Sequence, residues 1–336
     1  MKRTFILAAV GVVFLLCCLQ AQRGGPLSAR ADSIVLDSPS ATTVPLNFNA
    51  NAIAILRWYA ANLTTSFSVG GGPQGVAFDG ADIWVANSNS NSITKLQANN
   101  GTALGTFTVG TNPSGVAFDG ANIWVTNKNS NNVTKVRASD GTILGSFPVG
   151  TFPTGVAFDG ANIWVANLLT SNVTELQASN GAVLGTFTVG SFPSGVAFDG
   201  TNIWVTNQSS NNVTELLASN GSVVGTFPVG KSPQGVAFDG VNIWVANAGA
   251  NTVTKLQASN GAILGKFAVG NAPIGLAFDG VNIWVANSGG NFVTKLEAQT
   301  GANVGSFEVG NFPSGVAFDG ANIWVTNTNS GTVSKL

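Results

Sequence analysis

The sequence predicts an all-β chain: a β-propeller of seven four-stranded blades built from 40-residue repeats and closed by an N-terminal outer strand. Three observations carry that prediction. Landmark residues recur every 40 positions from Phe67 to Leu336, with no insertion or deletion. Each unit resolves into four short runs rich in Val, Ile, Phe, Trp and Thr, set off by links containing Gly, Asn and Pro. The last unit stops after its third run, while a spare fourth run, Leu63 to Val69, precedes the first unit. Pairing those two ends would close the ring and hide both sheet edges.

The chain begins differently. Lys2 and Arg3 precede an apolar run from Phe5 to Leu19, which is signal-like and too short for a comfortable membrane span of about 20 residues. Ala29 and Ala31 place small residues for a cut after Ala31, and a cut after Ala21 is the other option. Residues 1–31 are therefore expected to be a signal peptide, or an N-terminal anchor if uncleaved. Cys17 and Cys18 both fall here, and Leu16 before Cys17 fits lipidation poorly, so the exported chain needs no disulfide. Residues 32–62 are read as an N-terminal segment. Asn47, Asn51, Ile53 and Leu56 keep the 40-residue frame, so it is a candidate decayed repeat, forming an eighth blade or a cap. Pro39 and Pro45 weaken the eighth-blade alternative. Residues 63–336 are the seven-bladed propeller.

In the second unit, strand A is read as Gly115 to Asp119, B as Asn122 to Asn127, C as Asn132 to Ala138 and D as Ile143 to Val149. Asp119-Gly120 turns A into B and Asp140-Gly141 turns C into D, supplying the positive φ of tight hairpins. The VGxxPxG link from D to the next A is expected to hold its Pro outside the ladder. Strands A and B are apolar on both alternating faces, as Val116, Phe118, Ile123 and Val125 beside Trp124 show, which fits blades stacked between blades.

Positions identical in every unit are assigned to blade geometry. Trp84, Trp124, Trp164, Trp204, Trp244, Trp284 and Trp324 should pack between neighbouring blades. Asp79, Asp119, Asp159, Asp199, Asp239, Asp279 and Asp319 should form turns, with a weak cation site as the alternative. The Asn ring from Asn87 to Asn327 should cap the B–C turns through bonds to backbone. Lys95, Lys135, Glu175, Glu215, Lys255 and Lys295 share one position of strand C and read as a solvated outer edge.

The unit resembles the YVTN repeat of exported bacterial and archaeal β-propellers. Trp124-Val125-Thr126-Asn127 matches the name of that repeat with Trp for Tyr, and Ile203 to Asn207 and Ile323 to Asn327 repeat the match. The pattern overlaps the NHL-like and streptogramin-lyase-like propellers, and the architecture is that of WD40 proteins. The resemblance implies an exported propeller, periplasmic, extracellular or at the cell surface, and supplies no activity by itself.

Composition narrows the function. The 336 residues hold 14 Lys+Arg, 15 Asp+Glu and no His, so a His-based triad, an imidazole base and a His-ligated metal are excluded. A formal charge of -1 argues against nucleic acid as a partner. A membrane would be met only through an uncleaved N-terminus. The D–A and B–C links share one face, the upper face, and vary between units; those loops carry no Asp or Glu. No catalytic residue, metal ligand or cofactor is expected there. Phe152, Leu168, Leu169 and Phe192 form an apolar group in these loops, with Phe312 more distant, and Lys128 and Lys231 are the only charges. Those side chains are either an interaction patch or local packing over the blade ends. The leading expectation is a non-catalytic scaffold that binds a protein or cell-envelope component. A self-assembling surface protein and a metal-dependent hydrolase or lyase are the alternatives.

Overall fold

The computed structural model describes residues 65–336, which form seven four-stranded antiparallel sheets without a helix. The expected signal peptide, the decayed repeat and the start of the spare strand lie outside the described residues. Blade one runs through strand A, Pro73–Phe78, strand B, Asp82–Asn87, strand C, Ser92–Gln97, and strand D, Ala103–Thr108. The other blades repeat this order every 40 residues. β-Branched and aromatic residues fill B and C because both faces of these strands are covered. Ile83, Trp84, Val85, Ile93 and Leu96 have no exposed surface.

Each apolar core lies in a seam between two blades. Trp84 and Ile93 of blade one pack with Ile123, Val125 and Val136 of blade two, and the step repeats around the ring. Every Trp also meets a strand-D Phe, as Trp84 meets Phe107 with ring centres 5.7 Å apart. Strands A crowd the axis, where a Cβ at Gly75 would collide with the backbone of Ser114. Only Gly allows the blades to close that tightly.

The ring closes as the sequence predicts. The strand Thr65–Ser68 completes blade seven by pairing antiparallel with Thr332–Lys335, in the register Thr65 to Lys335 and Phe67 to Val333. Phe67 lies 5.6 Å from Trp324, taking the place that Phe107 holds against Trp84. Thr326 Oγ1 donates to Gln74 O across the closing seam.

Four local expectations change. Each Pro opens strand A instead of lying outside it: Pro73 stands opposite Asn87, and a bulge follows before Val76. A residue without an N–H suits that irregular first pair. The A–B link is a three-residue turn organised by its Asp, and Gly80 supplies its positive φ of 96°. Asp79 Oδ1 accepts the N–H groups of Ala81 at 2.9 Å and Asp82 at 2.7 Å, while Oδ2 accepts Trp84 Nε1 at 2.7 Å. The Asn ring mainly ties side chains together: Asn127 Nδ2 donates to Asn132 Oδ1 at 2.8 Å and to Thr134 Oγ1 at 2.9 Å. Its backbone bonds divide: Gly230 N–H and Gly310 N–H of the D–A link donate to Asn247 and Asn327 Oδ1, while Asn287 Nδ2 donates to Phe292 O across the B–C turn.

The largest correction concerns strand C. Lys95, Lys135, Glu175, Glu215 and Lys255 are buried, not solvated. Strand D and the next blade cover them, a tertiary effect that strand alternation does not report. The Lys95 ammonium donates to Ala138 O of the next blade at 2.8 Å, pairs with Asp82 at 2.9 Å and lies 5.2 Å from the centre of the Trp84 ring. It acts as a cationic pin across the seam.

Candidate binding face

The D–A and B–C links meet on one face because hydrogen bonds join them within each blade. Lys128 N–H donates to Asn112 O, Leu168 N–H to Phe152 O and Gln208 N–H to Phe192 O. The residue before each strand-A Pro adopts positive φ. Gly72 and Asn112 suit that conformation, whereas Phe152, Phe192 and Phe312 hold φ of 59°, 57° and 57°. A bulky aromatic in this region stores backbone strain.

The apolar group divides by exposure. Leu169 is 53 % exposed, Phe192 42 % and Phe312 40 %, while Phe152 and Leu168 are partly covered. Phe152, Leu168 and Leu169 stand together through the paired links, since Leu169 N–H also bonds to Thr151 O. Phe192 enters the neighbouring blade, and Phe312 lies across the ring in blade seven. Lys231 is exposed at the entry to blade five and joins no salt bridge among the described residues.

The Lys128 side chain reaches strand A of the preceding blade. Its ammonium donates to Gln74 Oε1 at 2.7 Å and lies 5.8 Å from the Phe152 ring centre. Burial without a carboxylate partner pulls the amine down to about 8. Sequence reading missed the further polar groups that meet at the starts of strands A. Gln208 Nε2 donates to Gln234 Oε1 at 3.0 Å, Ser194 Oγ to the same oxygen at 3.3 Å, and Thr154 Oγ1 to Ser194 O at 3.1 Å. Their signal was available: the residue after each strand-A Pro varies between units while its neighbours do not.

The arrangement can hold a polar or apolar surface against it, but it gathers no acid–base pair. Among the described residues, no three His, Cys, Asp or Glu side chains converge on one point. The seven Asp lie at the opposite end of the blades, already occupied by Trp and backbone donors. At Asp119, burial pushes the carboxyl up, and bonds from Trp124, Ala121 and Asn122 outweigh it and hold it below the ordinary range.

The molecule is thus an all-β, seven-bladed β-propeller with a carboxylate-free loop face. No protein-family model and no curated protein sequence matches the chain. Solved structures share the architecture at low identity. The "Kuenenia stuttgartiensis Hydrazine Synthase" structure superposes with a TM-score of 0.71 and 20 % identity, over 79 % of this chain and 95 % of that one. A catalytically inactive His→Ala variant of virginiamycin B lyase from Staphylococcus aureus, solved with quinupristin, gives 0.71 and 18 %, over 81 % and 98 %. A streptogramin B lyase gives 0.70 and 18 %, over 81 % and 96 %. These likenesses extend to the propeller fold and include the streptogramin-lyase-like group; the narrower YVTN-type assignment has no sequence match behind it.

Proposed function

We propose that this chain is an exported, non-catalytic propeller that binds a protein or cell-envelope component through its upper-face loops. The observation that carries this reading is the strained, exposed pair Phe192 and Phe312. Folding would favour Gly or Asn at their positive φ, and packing does not explain side chains about two-fifths exposed. Partly covered Phe152 and Leu168, exposed Leu169, and Lys128 and Lys231 extend the same face. Two observations favour binding over catalysis. The loops carry no carboxylate, and the chain has no His, whereas the staphylococcal lyase that shares the fold is inactive when a His is replaced.

The test compares the full chain with a Phe152→Asn, Leu169→Ser, Phe192→Asn variant for adsorption to the envelope fraction of the source organism. A second variant, Val241→Ser with Val281→Ser, changes exposed A–B turns at the opposite end of the blades. The reading expects adsorption to fall at least about tenfold in the loop variant, the loss of roughly 1.4 kcal/mol or more, and to persist in the turn variant. Equal adsorption by all three overturns it.

A further inference from the structure

Six seams of the ring are closed by one device, and the seventh is not. In each of the six, the C–D turn of a blade lies over the strand-D Phe of the blade before it. A Cβ at Gly141 would strike the Phe107 ring, one at Gly301 the Phe267 ring and one at Gly101 the Phe67 ring, and Phe147, Phe187 and Phe227 are covered in the same way. In four of these seams the turn also supplies the backbone carbonyl that receives a strand-C ammonium. Lys135 Nζ bonds Ala178 O at 2.6 Å, Lys255 Nζ bonds Ala298 O at 2.7 Å and Lys335 Nζ bonds Ala98 O at 2.8 Å, as Lys95 does at Ala138 O. The C–D turn is thus the lid of the preceding seam.

The seam between blades six and seven has no such lid among the described residues. Strand C of blade seven is Thr332–Lys335 and its strand D is Thr65–Ser68, so no C–D turn joins them. Three signs of the gap appear in blade six. Lys295 is only partly buried, whereas Lys95, Lys135 and Lys255 are buried, and its ammonium lies 4.9 Å from the Trp284 ring centre with no carbonyl partner among the described residues. Trp284 keeps 6 % of its surface exposed, while the other six Trp of the ring keep none. Phe307 leans in, its ring centre 5.1 Å from that of Trp284 against 5.5 to 5.7 Å in the sister pairs. A cation, a π face and an apolar ring therefore share one uncovered notch.

We propose that residues 58–62 of the same chain, Trp58-Tyr59-Ala60-Ala61-Asn62, are the missing lid and dock on Trp284, Lys295 and Phe307. They precede the closing strand by the same step by which residues 98–102 precede strand D of blade one. Asn62 is three residues from Thr65, a reach of about 10 Å, so the chain that enters the closing strand has to pass the notch. The residue types fit a modified lid. Ala61 replaces the turn Gly, which at Gly101 holds a positive φ of 72° and leaves no room for a Cβ against the Phe ring. The lid therefore stands further from Phe307 than its sisters stand from their Phe, and the bulk of Trp58 and Tyr59 fills the difference. Trp58 is the one Trp of eight outside the 40-residue ring, and Tyr59 is the sole Tyr. Two aromatic side chains suit an ammonium that lacks a carbonyl, through contact of its charge with their faces. The lid lies at the end of the blades opposite the loop face and is independent of the binding proposed there.

The test uses the full chain with a photoreactive benzophenone analogue of phenylalanine at Phe307, and the same analogue at Phe267 as control. Irradiation of the control should crosslink it to the turn around Gly301 of its own chain. Irradiation of the analogue at 307 should join it to the peptide that holds residues 58–62, within one chain. A second readout needs no change in the seam: the emission of Trp58, isolated by subtracting the spectrum of Trp58→Phe, should be blue-shifted and shielded from iodide. Lys295→Ser with Phe307→Ser should red-shift that emission and open it to iodide. Trp58→Ser with Tyr59→Ser should lower Tm by about 2 °C or more, and the loss should not add to that of Lys295→Ser. The assignment is overturned by a crosslink from 307 to a second copy or to another protein, by no crosslink where the control succeeds, or by a Trp58 fully open to iodide in the unaltered chain.

Discussion

At the residue scale, one charge reversal separates blades three and four from their sisters. Burial, then Asp199, pushes the Glu215 carboxyl up to about 7. A carboxyl raised on folding favours the native state most below its ordinary value of 4.5, and that advantage is lost as pH rises through about 7. Glu215→Gln should therefore raise Tm at pH 8, with the gain shrinking toward pH 5; melting curves across that range check it. Lys128 shows the complementary case. Its amine is lowered to about 8, so its charge opposes folding at neutral pH, and this opposition fades as the folded group deprotonates. Lys128→Met should raise Tm by a few degrees near neutrality and by less above pH 9.

At the element scale, the A–B hairpin shows how one Asp organises a turn and a core residue together. Its Oδ1 shapes the link, and its Oδ2 satisfies the indole N–H of a Trp that would otherwise be buried unpaired. Asp159→Ala should cost about 2–3 kcal/mol, read as a shift in the urea midpoint at constant slope. Asp119, Asp239, Asp279 and Asp319 all ionise below the ordinary carboxylate range; burial alone would raise them, and hydrogen bonds led by the Trp donor reverse it. Their contribution is present above pH 3.8 and is lost as pH falls through the depressed values, so acid should weaken these hairpins. This acid loss runs opposite to the gain expected from Glu215, and the pH profile should show both limbs.

At the scale of the whole molecule, closure rests on four residues from the other end of the chain. The strand Thr65–Ser68 covers the edge of blade seven, and Phe67 fills the space beside Trp324. Phe67→Ala should cost about 3 kcal/mol or more, because no neighbouring side chain can collapse into that seam. A comparable change at Phe152 should cost much less, since its ring is partly exposed and less packing is lost. Chemical denaturation of the two variants in parallel checks the contrast.

Much of this architecture was legible in the chain. The 40-residue period, the four runs per unit and the missing last strand determined the blade number, strand order and closure, because hydrophobic periodicity and turn chemistry are local properties that a repeat states seven times over. The loop face and its apolar group followed from strand direction and from differences between units. The strand-C charges did not follow, because nothing local distinguishes a side chain facing water from one facing the next blade. Only the packed ring decides that Lys135 meets Ala178 O, that Glu215 lies beside Asp199 opposite Trp204, and that Gln74 reaches Lys128. Those partners come from different blades, or from strands and turns brought together by the sheet, and burial among them depends on how blades stack in space.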